Sequence, residues 1–415
     1  MWLAIATIAF LVVFSVAPAS AQTTNGAGAH LTLISQSAWT PLGGTFTMQL
    51  ASDGVPSGTT LTLTVHDRLQ SRTGFDQTVS GGNLGPTRNL VRLPFDTLRI
   101  NPQSGGRVLF VGLQGPADAG GDRLSTGLSG GGVYPLEVAV RNGNDQSLAN
   151  FVTHVVVADV TENGGLTVGH PLDVAWVWPL GATPAYLPDG QPDPVVFTEL
   201  EPAGRLGRQV ALLGNAPDVP VTIAPTPETV DAWNNLSSKF PALGGGLTTL
   251  RGLAGHDQVL AGPFVSLDLP SIARGELTGV VHDEQSRGVG VLEQFFATQL
   301  DPSTALPGPL DGVSLRQLQN ASVRRLVVHA DALTPADEKY TPAHPYTVQA
   351  VPGDESTSME VLAADSGLER FMQGDAPPAL RAAHLLAGLA LVAGEQPSIT
   401  RGVALVNPSE WNAPD

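Results

Sequence analysis

Four carboxylates in the second half of the chain follow hydrophobic segments that have the pattern of buried strands. They are Asp268, Asp331, Asp365 and Glu410. Four rings occupy similar positions, namely Trp178, Phe264, His329 and Trp411. A sugar-cleaving cleft needs such a set, because one acid protonates the leaving oxygen, a second stabilises the oxocarbenium centre, and rings stack on sugar faces. The acids are therefore candidate catalytic residues, and the rings are candidate ligand-binding residues.

Each candidate also has a purely structural explanation. Asp268 precedes Leu-Pro-Ser-Ile and Asp365 precedes Ser-Gly-Leu, so both carboxylates are suited to capping a helix. His329 with Asp331 resembles an acid–base or metal pair, but the pattern favours a histidine that is hydrogen-bonded in a loop. Trp178 shares one face of its strand with the tryptophan two residues earlier, which is typical of a packed core.

Composition and missing motifs exclude several kinds of reactive site and one class of partner. The chain has no cysteine, which excludes disulfides, thiolate catalysis and Cys-ligated metal centres. It contains no H-E-x-x-H or H-x-x-x-H pattern and no G-x-G-x-x-G or Walker loop after a strand. We therefore expect no metal and no cofactor. The net charge of −17, from 21 basic and 38 acidic residues, argues against nucleic acid as a partner, because phosphate contacts need clustered Lys and Arg.

The first half of the chain has the pattern of an antiparallel β protein. Seven short runs of alternating or β-branched residues are separated by clusters of Gly, Pro, Asn, Asp and Ser. The runs are 30–34, 45–50, 60–65, 88–93, 107–111, 132–140 and 151–157. This spacing predicts an immunoglobulin-like β-sandwich over residues 30–160. The last two runs flank Asn142-Gly143 and predict a hairpin.

After residue 160 strands alternate with helices. Six strands, most of them followed by a helical segment, predict a parallel sheet closed or nearly closed into a β/α barrel over residues 161–415. An open doubly wound sheet is the structural alternative. The chain ends soon after the last predicted strand, with no helix to cover it. We therefore expect the α/β domain to be incomplete at its C-terminal end.

The N-terminus has the pattern of an export signal. Residues 3–16 are apolar and uncharged, and a small-residue triplet ending at Ala21 precedes Gln22. This pattern predicts a signal peptide over residues 1–21, cleaved between Ala21 and Gln22, and then a disordered linker over residues 22–29. A buried N-terminal helix is the alternative. We expect the mature protein to be extracytoplasmic, either secreted or anchored at the outer face of the cytoplasmic membrane.

Five segments resemble a family of actinobacterial secreted or membrane-anchored envelope proteins without an established activity. They are residues 174–180, 204–208, 219–225, 260–268 and 401–411. The resemblance implies a signal peptide, a β-sandwich, a barrel similar to those of polysaccharide deacetylases and family 57-type glycoside hydrolases, and usually a C-terminal membrane helix. The mature chain as given has no run of the ~18 apolar residues that a span needs. The metal triad of true deacetylases has no counterpart in this sequence.

Three hypotheses about function follow. The first is an exported envelope protein whose sandwich presents a barrel that binds a cell-wall glycan or an envelope protein. The second is a glycoside hydrolase that uses two of the four candidate carboxylates, which requires two of them within roughly 5–10 Å across one cleft. The third is a structural scaffold that binds other proteins.

Overall fold

A computed structural model describes residues 23–24, 28–113, 124–158, 171–182, 184–306, 310–333, 341 and 344–411. Its first part contains eleven of the described strands and one α-helix. They are β1 (Thr23–Thr24), β2 (His30–Gln36), β3 (Thr40–Pro41), β4 (Thr45–Asp53), β5 (Thr60–His66), α1 (Arg72–Val79), β6 (Thr87–Pro94), β7 (Arg99–Ile100), β8 (Arg107–Gly112), β9 (Leu124–Ser125), β10 (Gly132–Arg141) and β11 (Ser147–Ala158). The predicted signal peptide and its cleavage site at Ala21 and Gln22 lie outside the described residues.

These strands form two mainly antiparallel sheets. The first has the order β1-β11-β10-β5-β6 with β3 beside β11, and the second has the order β2-β4-β8-β7 with β9 beside β8. All seven predicted strands are present. The predicted hairpin is confirmed, because β10 and β11 pair antiparallel with Val138 opposite Phe151. At its turn, the side-chain oxygen of Asn142 accepts hydrogen bonds from the backbone N–H groups of Asn144 and Gln146.

The inner faces of the two sheets form one apolar core. Along β4 the alternate residues Phe46, Met48 and Leu50 are buried, and their neighbours are partly exposed. They pack with Leu61 and Leu63 of β5, which belongs to the other sheet. Period-two alternation therefore puts one face of each sheet inside, as the sequence predicts. The sequence does not predict α1, which follows β5 and begins at the N-cap Ser71.

The second part of the chain contains eight strands and nine α-helices among the described residues. The strands are β12 (Leu172–Leu180), β13 (Thr222–Pro225), β14 (Gln258–Val259), β15 (Ser303–Leu306), β16 (Arg325–His329), β17 (Tyr346–Gln349), β18 (Ser358–Ala364) and β19 (Arg401–Val406). The helices are α2 (Pro194–Leu200), α3 (Arg205–Gly214), α4 (Pro227–Ser237), α5 (Gly244–Leu253), α6 (Leu269–Arg274), α7 (Thr278–Phe296), α8 (Gly312–Asn320), α9 (Ser366–Glu369) and α10 (Pro378–Glu395).

Seven of these strands form a curled parallel sheet in the order β14-β13-β12-β19-β18-β16-β15, and β17 pairs antiparallel with β18. The two end strands meet at an isolated parallel bridge between Ala261 and Pro302. Next to it, the Ser303 N–H donates to the Ala261 carbonyl at 3.1 Å. This contact favours the predicted barrel over an open doubly wound sheet. The sequence analysis missed β15 and β17, which are short and weakly apolar.

The inside of the curled sheet is filled by side chains. One cluster takes a residue from, or directly after, each of the seven parallel strands. Its members are Val177, Ala224, Leu260, Ala305, Val327, Leu362 and Val406. Such a layer is the packed core of a barrel, because inward-pointing side chains from successive strands meet at one level. The interior is thus a core at this level, and a ligand has room only at the ends of the strands.

Helix α10 joins the two parts of the structure. Its residues Leu380 and Ala383 belong to the core of the sandwich, whereas Ala387 and Val392 pack with residues of α1 and β19. The same helix carries His384, whose Nε2 lies 3.1 Å from the carbonyl oxygen of Val152 in β11. Because α10 is covered on two sides, its apolar composition reflects burial. None of the described helices combines the length and hydropathy that crossing a bilayer requires.

Two buried histidines face each other at this junction. The rings of His154 in β11 and His384 lie 5.2 Å apart between centroids. Burial lowers the pKa of His384 from 6.5 to about 4; its bond to the Val152 carbonyl opposes this shift, and the charge of Arg370 adds to it. Burial, and next the nearby His384, lower the pKa of His154 well below its ordinary value. Both rings are therefore neutral at pH 7.

These pKa shifts predict loss of stability in acid. The unfolded chain takes up a proton on His384 below pH 6.5, and the folded chain does so only near pH 4. The contribution of the neutral His384 to stability is therefore complete above pH 6.5 and is lost as the pH falls toward 4. At ~1.4 kcal/mol per pH unit, the loss is about 3 kcal/mol over this range. Urea unfolding measures this effect. Between pH 6.5 and pH 4, the free energy of unfolding of His384→Gln should fall by about 3 kcal/mol less than that of the natural chain. Equal losses in the two proteins would contradict the prediction.

Candidate functional site

The candidate site lies at the carboxyl ends of the parallel strands, where the loops of a β/α barrel converge. His329 is the last residue of β16. Its neighbour two residues earlier, Val327, belongs to the layer that fills the barrel. Since side chains two residues apart on a strand share a face, His329 points to the same side one level higher. It therefore lies above the filled interior, at the mouth of the barrel.

His329 is paired with a carboxylate that the sequence analysis missed. Its Nδ1 lies 3.1 Å from Oε2 of Glu369, the last residue of α9. The other oxygen, Oε1, accepts the backbone N–H of Val406 at 2.6 Å. Glu369 is only 8% exposed. A buried carboxylate held in this way selects the imidazole tautomer with the proton on Nδ1, and it fixes the plane of the ring.

Asp365 lies next to this pair and has structural partners on both oxygens. It is the N-cap of α9, and its Oδ1 accepts the Leu368 N–H at 3.0 Å. The guanidinium of Arg72, from α1 of the sandwich, binds the same carboxylate through two hydrogen bonds of 2.5 and 2.8 Å. The helix-cap interpretation of Asp365 is therefore confirmed, and the carboxylate is also one half of an ion pair between the two parts.

The other candidate carboxylates lie in different surroundings. Asp268 is the N-cap of α6, and its two oxygens accept the N–H and hydroxyl of Ser271. These bonds, the hydroxyl bond first, lower the pKa of Asp268, which fits a permanently ionised cap. The side chain of Glu410 is 83% exposed and lies 3.9 Å from Nε of Arg205. The backbone of Asp331 lies in the short 3-10 helix Ala330–Ala332, and its side chain lies outside the described part of the chain.

Two of the candidate rings are covered. Trp178 is 4% exposed and lies edge-on to Trp411, with 5.3 Å between centroids. Its Nε1 has no hydrogen-bond partner among the described residues. The ring of Phe264 is also 4% exposed, and the guanidinium of Arg287 lies 3.5 Å from its centroid. Trp411 is half-buried, and its Nε1 donates to the Met372 carbonyl at 2.8 Å. The core interpretation of Trp178 is therefore confirmed.

A buried arginine fixes the segment that follows β19. Arg205, near the start of α3, is 8% exposed and forms an ion pair with Glu199. It also donates to the carbonyl of Gly181 at 2.8 Å and to that of Ser409 at 2.6 Å. One residue thus joins the loop after β12 to the segment before Trp411. The sequence analysis singled out this arginine only as part of the segment 204–208, because its partners lie far away along the chain.

A cavity of about 410 Å³ lies at the opposite end of the barrel. Its lining is mostly polar and includes the first residues of three parallel strands, Gln258, Ser303 and Arg325. In β/α barrels the reacting groups lie at the carboxyl ends of the strands, and the amino ends serve stability. The His329–Glu369 pair therefore remains the candidate site. Among the described residues, no group of three or more His, Asp or Glu side chains is arranged to hold a metal ion.

Comparison with protein-family models and with curated proteins finds no match. Solved structures that share some similarity include a 4-α-glucanotransferase from Thermococcus litoralis, at 12% identity over 59% of this chain and a TM-score of 0.41. A chitinase from Paenibacillus sp. has 8% identity over 80% of this chain and a TM-score of 0.20. A purple acid phosphatase from yellow lupin seeds has 10% identity over 74% of this chain and a TM-score of 0.17.

This chain spans 34%, 29% and 51% of the lengths of those three proteins. With identities of 12% or less and TM-scores below 0.5, the three similarities carry no argument about the fold or the function of this chain. The candidate site rests on its own geometry.

The different surroundings of Asp365 and Asp268 predict different costs of removing them. Asp365→Ala should lower the free energy of unfolding by about 3 kcal/mol, because it removes a cap and leaves the guanidinium of Arg72 without its carboxylate in a largely buried place. Asp268→Ala removes an exposed cap and should cost clearly less. Urea titrations of both variants measure the difference. Equal costs would show that the contact between Arg72 and Asp365 adds nothing to stability.

Proposed function

We propose that this chain is an exported cell-envelope protein that binds a glycan at the carboxyl ends of its barrel strands. The observation that supports this proposal most directly is the His329–Glu369 pair above a filled barrel interior. The pair places an imidazole and a carboxylate at the barrel mouth, and sugar hydroxyls can act as donors or acceptors toward polar groups of this kind. The proposal includes the signal peptide before Gln22 that the sequence predicts.

Binding without cleavage fits the surroundings of the carboxylates. Glycoside hydrolysis uses two carboxylates that face one another across the scissile bond. Asp268 caps α6, and Asp365 caps α9 and pairs with Arg72. Each of these two side chains is therefore already occupied by a structural role. In this proposal the immunoglobulin-like sandwich over residues 30–160 and the incomplete α/β barrel over residues 161–415 form one glycan-recognition protein.

A catalytic role is the second candidate, and one observation favours it. Glu369 places a buried carboxylate 3.1 Å from an imidazole at the barrel mouth, which is an arrangement that general acid–base catalysis uses. A glycoside hydrolase on an envelope polysaccharide would then combine this pair with a second acid such as Asp331. The scaffold hypothesis has no comparable feature at this site, and a protein partner becomes an outcome of the test below.

The binding proposal predicts retention on insoluble glycans. Purified residues 22–415 should sediment with peptidoglycan or envelope polysaccharides without releasing reducing ends into the same tubes. His329→Ala should weaken binding about tenfold, equivalent to ~1.4 kcal/mol. Asp268→Ala is the matched control at the same end of the barrel and should bind as the natural chain does.

The other outcomes separate the hypotheses. Release of reducing ends that is abolished by Glu369→Gln would overturn the binding proposal in favour of an enzyme. If the natural chain neither sediments nor releases reducing ends, both glycan hypotheses are wrong, and a protein partner is the remaining candidate.

Export has its own test. When the full chain is expressed in a bacterium with a general secretion system, the N-terminal sequence of the secreted product should begin at Gln22, because cleavage follows the small-residue triplet that ends at Ala21. The strand β1 (Thr23–Thr24), which pairs with β11, would then begin one residue after the new N-terminus. An intact Met1 in the product, or a product that stays in the cytoplasm, would contradict export.

A further inference from the structure

An arginine of the sandwich reaches to the mouth of the barrel. Arg72 is the first residue of α1, and its guanidinium binds both oxygens of Asp365, which directly follows β18. The two side chains are 23% and 11% exposed. Burial alone would lower the pKa of Arg72, but the hydrogen bond and the charge of Asp365 raise it above its ordinary value. A two-pronged contact of this kind fixes direction as well as distance.

Asp365 in turn holds the helix that carries Glu369. Its side chain accepts the Leu368 N–H, and its carbonyl accepts the N–H groups of Leu368 and Glu369, each at 3.0 Å. Helix α9 is only four residues long and would not be stable by itself. Its place therefore depends on its N-cap together with the packing of the buried Leu368. Glu369 then reaches Nδ1 of His329, so that continuous contacts lead from Arg72 to the imidazole.

One glycine accommodates this arrangement. A Cβ atom on Gly367 would lie 2.8 Å from Nη2 of Arg72, which is closer than real Cβ contacts come. The guanidinium thus lies directly against the backbone of α9 at residue 367, which has no side chain.

We infer that Arg72 is a positioning residue through which the sandwich holds Glu369 in place and so fixes the tautomer and orientation of His329. The sandwich is in this view a part of the barrel-mouth site. The consequence for glycan binding rests on the proposed function, whereas the effect on the imidazole does not.

The test measures directly which ring nitrogen of His329 carries the proton, in protein without ligand. Long-range ¹H–¹⁵N spectra of ¹⁵N-histidine-labelled protein distinguish a protonated from an unprotonated ring nitrogen at about pH 8, where an ordinary imidazole is neutral. The His329 signals are identified by their loss in His329→Ala. In the natural chain, Nδ1 should carry the proton. In Arg72→Gln and in Glu369→Gln, the shifts of the two ring nitrogens should move toward each other as the tautomers mix.

Asp268→Ala is the control. Asp268 caps α6, another short helix of the barrel part, and its carboxylate binds Ser271. Removing this cap leaves the contacts of Arg72 and Asp365 in place, and the His329 shifts should stay unchanged. Arg72→Lys provides a second route if Arg72→Gln does not fold, because it keeps the positive charge and loses the two-pronged contact with Asp365. It should shift the His329 signals in the same direction as Arg72→Gln does.

Each result has one meaning for the inference. Unchanged His329 shifts in a folded Arg72→Gln or Arg72→Lys protein would overturn it, and so would an equal change in Asp268→Ala. In the sedimentation assay, Arg72→Gln should reduce glycan binding about tenfold, as His329→Ala does, because it acts through the same imidazole. If the spectra change as expected and no glycan binds the natural chain, the positioning role stands and the proposed function fails.

Discussion

Burial of α10 between the sandwich and the barrel is the interaction on which the rest of the structure depends. The helix contributes Leu380 to the core of the first part and Val392 to the cluster that includes β19 of the second part. Because its apolar surface is covered on both sides, the two parts cannot separate without exposing it to water. The contacts of α1 with the barrel, including the Arg72–Asp365 pair, become possible only once this junction exists.

Much of the fold could be predicted from local patterns. Strands such as β4 and β10 have strong alternation or β-branched runs, and the hairpin has Asn142-Gly143 at its turn, so sequence and structure agree there. The helix α1 could not be predicted, because Thr73 and Gly74 are poor helix formers and its stability comes from packing of the buried Phe75. Tertiary contacts decide such elements.

The candidate site was predictable only in part. The position of His329 at the end of a barrel strand follows from the hydrophobic run before it. Its partner Glu369 is 40 residues away in the sequence, and Arg72 is 293 residues away from Asp365. No spacing rule connects residues so far apart, since the barrel closure and the junction at α10 bring them together. The helix-capping roles of Asp268 and Asp365 were predictable, because a cap depends on the next three residues only.

The filled interior restricts the kind of ligand that the barrel mouth can take. The layer that includes Val327 and Val406 lies one level below the imidazole, and Glu369 binds the backbone of Val406 from above. A small molecule therefore cannot be enclosed between the strands at that level, as it could be in an open cavity. A ligand that lies across the strand ends and continues beyond them fits this shape better. An extended polymer chain meets that condition, because its successive units can continue along the strand ends. The filled layer therefore restricts the shape of a ligand at the barrel mouth.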